Sequence, residues 1–263
     1  MSAPLYDAHC HLADGRLLPF REEVGASLKR IGCELSVVNG TSPEDWQAVV
    51  DYTTNNPSAL PAIGLHPWKV NDAPDNWKDG FLQHLDKGVS IIGEIGLDQW
   101  IEGYDMDAQI DAFHWQIEQA ADRNLPVSIH CLKAIDPLIQ VLSESALPER
   151  GVHIHALNVP IEAARKLIEI GCYFSFNSGQ LKPQAKHIIS LIQAIPEERI
   201  LIETDAPDFL PIDAYREFSL PKKGLNHPAN LLGCYEVVAH LRELGSESLR
   251  EQVATNFRRC FLD

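Results

Sequence analysis

Eight short β-rich runs, beginning near Tyr6, Leu35, Ala62, Ser90, Val127, Val152, Tyr173 and Ile200, alternate with stretches whose apolar residues recur at the helical period. That alternation is the signature of βαβ units, in which helices join parallel strands. Eight units in 263 residues fit a (β/α)8 barrel, and the glycine-rich fingerprint of an open nucleotide-binding sheet is missing. The expected fold is therefore α/β, one TIM barrel spanning residues 1–263 as a single domain, with an additional C-terminal helix.

The helical stretches carry start and stop signals. Ser42-Pro43-Glu44-Asp45 reads as a helix start, with Ser42 as N-cap and Trp46, Val49, Val50 and Thr53 following on one face. Ile110, Phe113, Ile117, Ala120 and Ala121 define a helix between Asp105 and Asn124, and a shorter one through Ala164, Leu167 and Ile168 stops at Gly171. Two helices close the chain, one from about Pro228 to Leu244 and one opened by Ser246 as N-cap. No fixed-period repeat, low-complexity segment or linker interrupts them.

The chain is 45% hydrophobic, enough for a substantial core, and carries 22 basic against 37 acidic residues, a formal net charge of −15. Such an acidic surface argues against broad adhesion to nucleic acid or to an anionic membrane, though a local basic patch remains allowed. The six cysteines, Cys10, Cys33, Cys131, Cys172, Cys234 and Cys260, form no CxxC pair and read as small buried hydrophobes. There is no signal-peptide pattern, and no apolar stretch approaches about 18 residues. The expectation is a cytoplasmic protein with no membrane contact and no obligate protein partner.

A barrel places its ligands at the carboxyl ends of the strands, so the polar residues there are the informative ones. In Tyr6-Asp7-Ala8-His9-Cys10-His11-Leu12, alternation along a strand puts Asp7, His9 and His11 on one face. His66 follows the third strand, Glu94 lies in the fourth, His130 and His155 end the fifth and sixth, and Asp205 follows the eighth. One such residue is ordinarily structural; together they form a ligand set. Four histidines and two carboxylates, His9, His11, His130, His155, Glu94 and Asp205, exceed the needs of one tetrahedral ion, so two divalent ions are the more economical arrangement. Glu94, placed centrally, is the candidate bridge. Histidine-rich ligation suits zinc, mixed sites also accept manganese, nickel or iron, and magnesium suits an oxygen-rich position.

The blocks DAHCHL, GLHPW, IGEIGLD, VSIHC, HIHAL, ETDAP and LNHP, in this order and spanning nearly the whole chain, resemble the signature blocks of the TatD family of metal-dependent deoxyribonucleases, within the amidohydrolase-like barrels. By that resemblance His9, His11 and Asp205 bind one ion, His130 and His155 the other, Glu94 bridges, and His66 lies near the substrate phosphate. The chain departs from the family at two places. His155 is followed by Ala156-Leu157-Asn158 where HCFSG is usual, and His130 by Cys131-Leu132-Lys133 where a serine–arginine pair is usual.

Of the remaining histidines, His84, His114, His187 and His240 fall in helical patterns and read as surface or packing residues. His153 shares a strand face with His155, but His155 stands nearer the carboxyl end and is the expected ligand. Asp98 and Glu203 are candidates to orient ligand histidines or water. The expected activity is hydrolysis of DNA phosphodiester bonds on a strand end or short oligonucleotide, with Asp205 and Glu94 as catalytic residues. His66, Lys222 and Lys223 are the expected substrate contacts. A small-molecule hydrolase acting on a lactone, amide or phosphoester is the alternative, since one metal barrel supports many chemistries. A non-catalytic metal-binding scaffold is a third reading, disfavoured by the full ligand set.

Overall fold

The computed structural model describes residues 2–182 and 184–263. Its strands are β1 (Leu5–Cys10), β2 (Cys33–Asn39), β3 (Ala59–Ile63), β4 (Ile91–Asp98), β5 (Val127–Leu132), β6 (Val152–Ile154), β7 (Tyr173–Phe176) and β8 (Ile200–Ile202). Each pairs in parallel with the next, in the order β1 to β8. The ring is closed just past β8, where the Asp205 amide donates to the His9 carbonyl at 3.0 Å and the His11 amide to the Ala206 carbonyl at 2.8 Å. The backbone that zips the barrel shut is thus the backbone that carries three of the expected ligands.

Each strand is followed by its helix: α1 (Arg21–Ile31), α2 (Trp46–Thr54), α3 (Trp77–Asp86), α4 (Met106–Arg123), α5 (Ile135–Glu144), α6 (Ile161–Ile170), α7 (Lys186–Ala194) and α8 (Leu231–Leu241). Helices outside and side chains inside bury both faces of the sheet, which is why β4 is buried at all eight positions. The additional helix, α9 (Ser246–Phe261), packs at the amino ends of the strands. Phe257 stacks on Tyr6 at 4.6 Å, and the Gly151 amide donates to the Cys260 carbonyl at 3.0 Å. With that end covered, the carboxyl ends are left to form the open mouth.

Several local signals act as the sequence indicates. Asp105 caps α4 by accepting from the Ala108 amide at 3.1 Å, and Asn124 (φ +49°) and Gly171 (φ +100°) end α4 and α6 in the left-handed conformation. Three helix starts differ. Helix α2 starts at Trp46 rather than behind Ser42, because the Asp45 carboxylate turns back to accept from the Thr41 and Ser42 amides and the Thr41 hydroxyl. Pro228–Asn230 is a 3-10 turn, its Ala229 amide donating to His227 Nδ1 at 2.9 Å, so α8 begins at Leu231. Gly245, not Ser246, occupies the N-cap of α9.

Candidate metal centre

His9, Glu94 and His130 lie within β1, β4 and β5, while His11, His66, His155 and Asp205 follow the ends of β1, β3, β6 and β8 by one to three residues. All seven converge at the carboxyl mouth around Glu94, which is buried. Close approach of the strands there needs glycine. At Gly96 (φ +144°), a Cβ would stand only 1.9 Å from the His130 carbonyl oxygen, so this position brings β4 against β5 beside the site.

The two oxygens of Glu94 face different groups. Oε2 lies 3.5 Å from both His9 Nε2 and His11 Nε2; Oε1 lies 2.9 Å from His155 Nε2 and 3.2 Å from both His130 Nδ1 and His66 Nε2. On the first side, Asp205 Oδ1 completes a set of four, 3.7 Å from His9 Nε2 and 3.4 Å from His11 Nε2. Donors at zinc–nitrogen distances and tetrahedral angles about one ion stand roughly 3.3–3.4 Å apart, close to the 3.4–3.7 Å edges of this set. On the second side His130 Nδ1 and His155 Nε2 are 3.2 Å apart, both facing Glu94 Oε1. Three such protein donors are the number a catalytic zinc site uses.

Hydrogen bonds on the far side of the His9, His11, His66 and His130 rings decide which nitrogen faces the centre. His11 Nδ1 donates to the Asn39 carbonyl at 3.0 Å, so the neutral ring presents Nε2 as a lone pair. His130 Nε2 donates to Asp98 Oδ2 at 2.8 Å, so the neutral ring presents Nδ1 inward as a lone pair. His66 is the opposite case. Its Nδ1 accepts from the Trp68 amide at 3.1 Å, so the neutral ring carries its proton on Nε2, facing Glu94 as a donor.

His9 is set by a longer path through the barrel interior. The Ser175 hydroxyl donates to Glu203 Oε2, so Ser175 Oγ accepts from His153 Nε2 at 2.6 Å. The neutral His153 ring then accepts at Nδ1 from Ser128 Oγ, 3.2 Å away, and Ser128 Oγ accepts from His9 Nδ1 at 2.8 Å. His9 Nε2 is left as a bare, buried lone pair with no hydrogen-bond partner among the described residues. Burial and the neighbouring His9 and His155 rings keep His153 well below the ordinary imidazole range, consistent with a neutral link. Glu203 also accepts from the Ala156 amide at 3.1 Å and Asn177 Nδ2 at 2.9 Å.

Burial opposes charge throughout the centre, yet the neighbours prevail at most positions. Against burial, His66, His155 and His9 hold Glu94 well below the usual carboxylate range, and a hydrogen bond from His11 brings Asp205 to about 2. Also against burial, Asp205 and Glu94 lift His11 to about 9, and Glu94 and Glu203 hold His155 well above its ordinary value. His9 is lowered by burial and by His155. The carboxylates thus draw positive charge into the mouth, a demand divalent cations would meet with neutral imidazoles as ligands. Donor spacing, ring orientation and charge all fit metal ions.

Lys222 and Lys223 lie on the loop after β8, whose Asn226 amide donates to the Pro207 carbonyl at 2.8 Å. They are exposed at the tip of a turn closed by the Ser219–Asn226 bridge, and no ion pair among the described residues holds either. The sequence reading did not single out Ser128, Ser175, Asn39, Trp68 or Trp100. A signal for the two serines exists: Val127-Ser128-Ile129 and Phe174-Ser175-Phe176, like Val152-His153-Ile154, each place one polar residue inside an apolar strand, where it needs a partner.

A sequence profile of the family described as TatD related DNase matches residues 6–262. The chain belongs to this family. Among its relatives, "Uncharacterized metal-dependent hydrolase YabD" of Bacillus subtilis is 28% identical over 261 residues, covering 98% of each chain. "Deoxyribonuclease Tat-D" of Schizosaccharomyces pombe is 27% identical, covering 87% of this chain and 83% of its own. In three dimensions the crystal structure of YjjV, a TatD homologue from Escherichia coli, superposes with a TM-score of 0.88 at 25% identity over 99% of both chains. The family membership makes this protein a metal-dependent hydrolase on a TIM barrel.

Proposed function

We propose that this protein hydrolyses phosphodiester bonds of DNA, engaging a strand end or short oligonucleotide, with two divalent ions held in one barrel spanning the whole chain. The observation that carries the reading is the division of Glu94, one oxygen facing His9 and His11 and the other His130 and His155. His9, His11 and Asp205 would hold one ion, His130 and His155 the other, and Glu94 both. Divalent ions in such a set lower the pKa of water from 15.7 to about 7 and neutralise charge on a phosphoryl group.

The protein's own groups supply the rest. Asp205 stays ionised near neutral pH, with Oδ1 in the donor set and Oδ2 left to accept a hydrogen bond from the attacking water and steer it. His66, with Nδ1 occupied by the Trp68 amide, keeps a proton on Nε2 to donate to a non-bridging phosphate oxygen. The named deoxyribonuclease among the relatives supports DNA as substrate. Zinc is the ion best suited to the imidazole majority. The six cysteines, all free, fit a reducing, cytoplasmic setting.

The net charge of −15 favours a second reading, a hydrolase of a lactone, amide or small phosphoester. The test is a panel of single-stranded oligonucleotides, lactones and activated phosphoesters, assayed after chelation and after re-addition of zinc or manganese. Metal-dependent cleavage of the oligonucleotide well above the others is expected. Turnover of the lactones or small esters alone would select the second reading.

A further inference from the structure

Seven large apolar side chains are exposed among the described residues. Five of them, Leu18, Trp68, Trp100, Tyr104 and Phe209, lie on loops that leave the carboxyl ends of β1, β3, β4 and β8. Exposed apolar surface is therefore concentrated around the mouth that holds the candidate metal centre, and such concentration marks a binding surface.

Two of the five are also fixed against the centre. The Trp68 indole stands edge-on to His66 at 5.1 Å and 6.2 Å from the His130 ring. Its Nε1 donates to Asp98 Oδ2 at 2.7 Å, the oxygen that also accepts from His130 Nε2. Trp100 lies beyond it, ring centroids 6.5 Å apart and planes inclined by 36°, with its own amide bound to Asp98 Oδ1 at 2.6 Å. One buried carboxylate thus anchors the Trp68 indole, the Trp100 backbone and a site imidazole. Yet Trp68 remains 44% and Trp100 60% exposed. Fixing the Trp68 indole and the backbone that carries Trp100 while both rings stay in water gains little packing for the free protein, whereas it preorganises them for a flat ligand.

We infer that Trp68 and Trp100 form a stacking subsite for an unpaired nucleobase whose neighbouring phosphate lies at the metal centre. The inference rests on the phosphodiesterase reading above. An indole face accepts any base, so the contact is indifferent to sequence. It also answers the charge problem, because a protein of net charge −15 gains little long-range attraction for a polyanion, whereas stacking does not depend on backbone charge. Paired bases are already stacked on both faces, so the subsite selects single strands and frayed ends over intact duplex.

The test compares a single-stranded oligothymidylate with a fully abasic oligomer of equal length and phosphate number, on the zinc-loaded parent, Trp100→Ala and Trp100→Tyr. Trp100 is used because removing Trp68 would also release Asp98. In the parent, the base-bearing strand should bind about 5- to 100-fold more tightly than the abasic one, the range that stacking spans. Trp100→Ala should erase most of that difference at unchanged metal content and salt dependence, and Trp100→Tyr should restore much of it. Undiminished discrimination in Trp100→Ala, or loss of discrimination only together with metal, overturns the subsite. If the parent cleaves both oligomers equally well, the subsite alone falls. If it binds neither while turning over a small ester, the nucleic-acid reading falls with it.

Discussion

Asp98 Oδ2 lies 2.8 Å from His130 Nε2, and this contact determines that His130 presents Nδ1 to Glu94. Despite the opposing effect of burial, hydrogen bonds from His130 and Trp68 hold Asp98 at about 2, so it remains an acceptor at any working pH. Asp98→Asn keeps the shape but weakens this acceptor. Metal affinity should fall about 10- to 100-fold, the scale of changes to groups that orient ligands. Calorimetric titration of zinc into parent and variant checks it; equal affinities would reduce Asp98 to a loop brace.

Glu94 faces imidazoles on both sides, so Glu94→Gln should cost one ion per chain and at least about 10–100-fold in rate. Metal analysis of the purified variant, together with its turnover, is the measurement. Full metal content and full activity would end the bridging role.

His153 and His155 share a strand face but not a function in this reading. His153→Gln retains a donor and an acceptor for the Ser128–Ser175 path and should leave metal stoichiometry intact, whereas His155→Gln should lose an ion. His153→Leu strands the buried hydroxyls and should destabilise the fold by about 1–3 kcal/mol, read from denaturant melts. Loss of an ion from His153→Gln but not from His155→Gln would reverse the assignment.

Saturating metal should stabilise the protein against heat. At 100 times Kd the linkage contribution is about 2.7 kcal/mol, which for a chain of this size corresponds to a rise in Tm of about 5–10 °C. Scanning calorimetry with and without chelator measures it; coincident transitions would mean that the donor set holds nothing tightly.

Lys222→Ala combined with Lys223→Ala should raise KM for oligonucleotides several-fold with kcat and metal content unchanged, the pattern of lost uniform binding. With two phosphates contacted at most, the parent's log–log salt slope should be about −1 to −2. The decisive measurement is KM against salt for both proteins, and superimposable curves would return the lysines to solvent.

The periodicity of apolar residues determined the barrel, because eight alternations of strand and helix leave few other ways to bury both faces of a parallel sheet. It also determined which residues stand at the mouth: His9, His11, Glu94, His130, His155 and Asp205 were legible as chemically expensive groups at the ends of apolar strands. Helix starts were less legible, since Asp45 and His227 use side-chain hydrogen bonds with more than one possible partner. Distances across the barrel depend on strand register and loop path, which no periodicity encodes. Only the tertiary structure therefore divided the two oxygens of Glu94 between imidazole groups, turned His66 into a donor, and ran a hydrogen-bonded path from Glu203 through His153 to His9. It alone brought Trp68 and Trp100, 32 residues apart in sequence, onto one carboxylate, because Asp98 reaches both only when the loops after β3 and β4 fold over the same mouth.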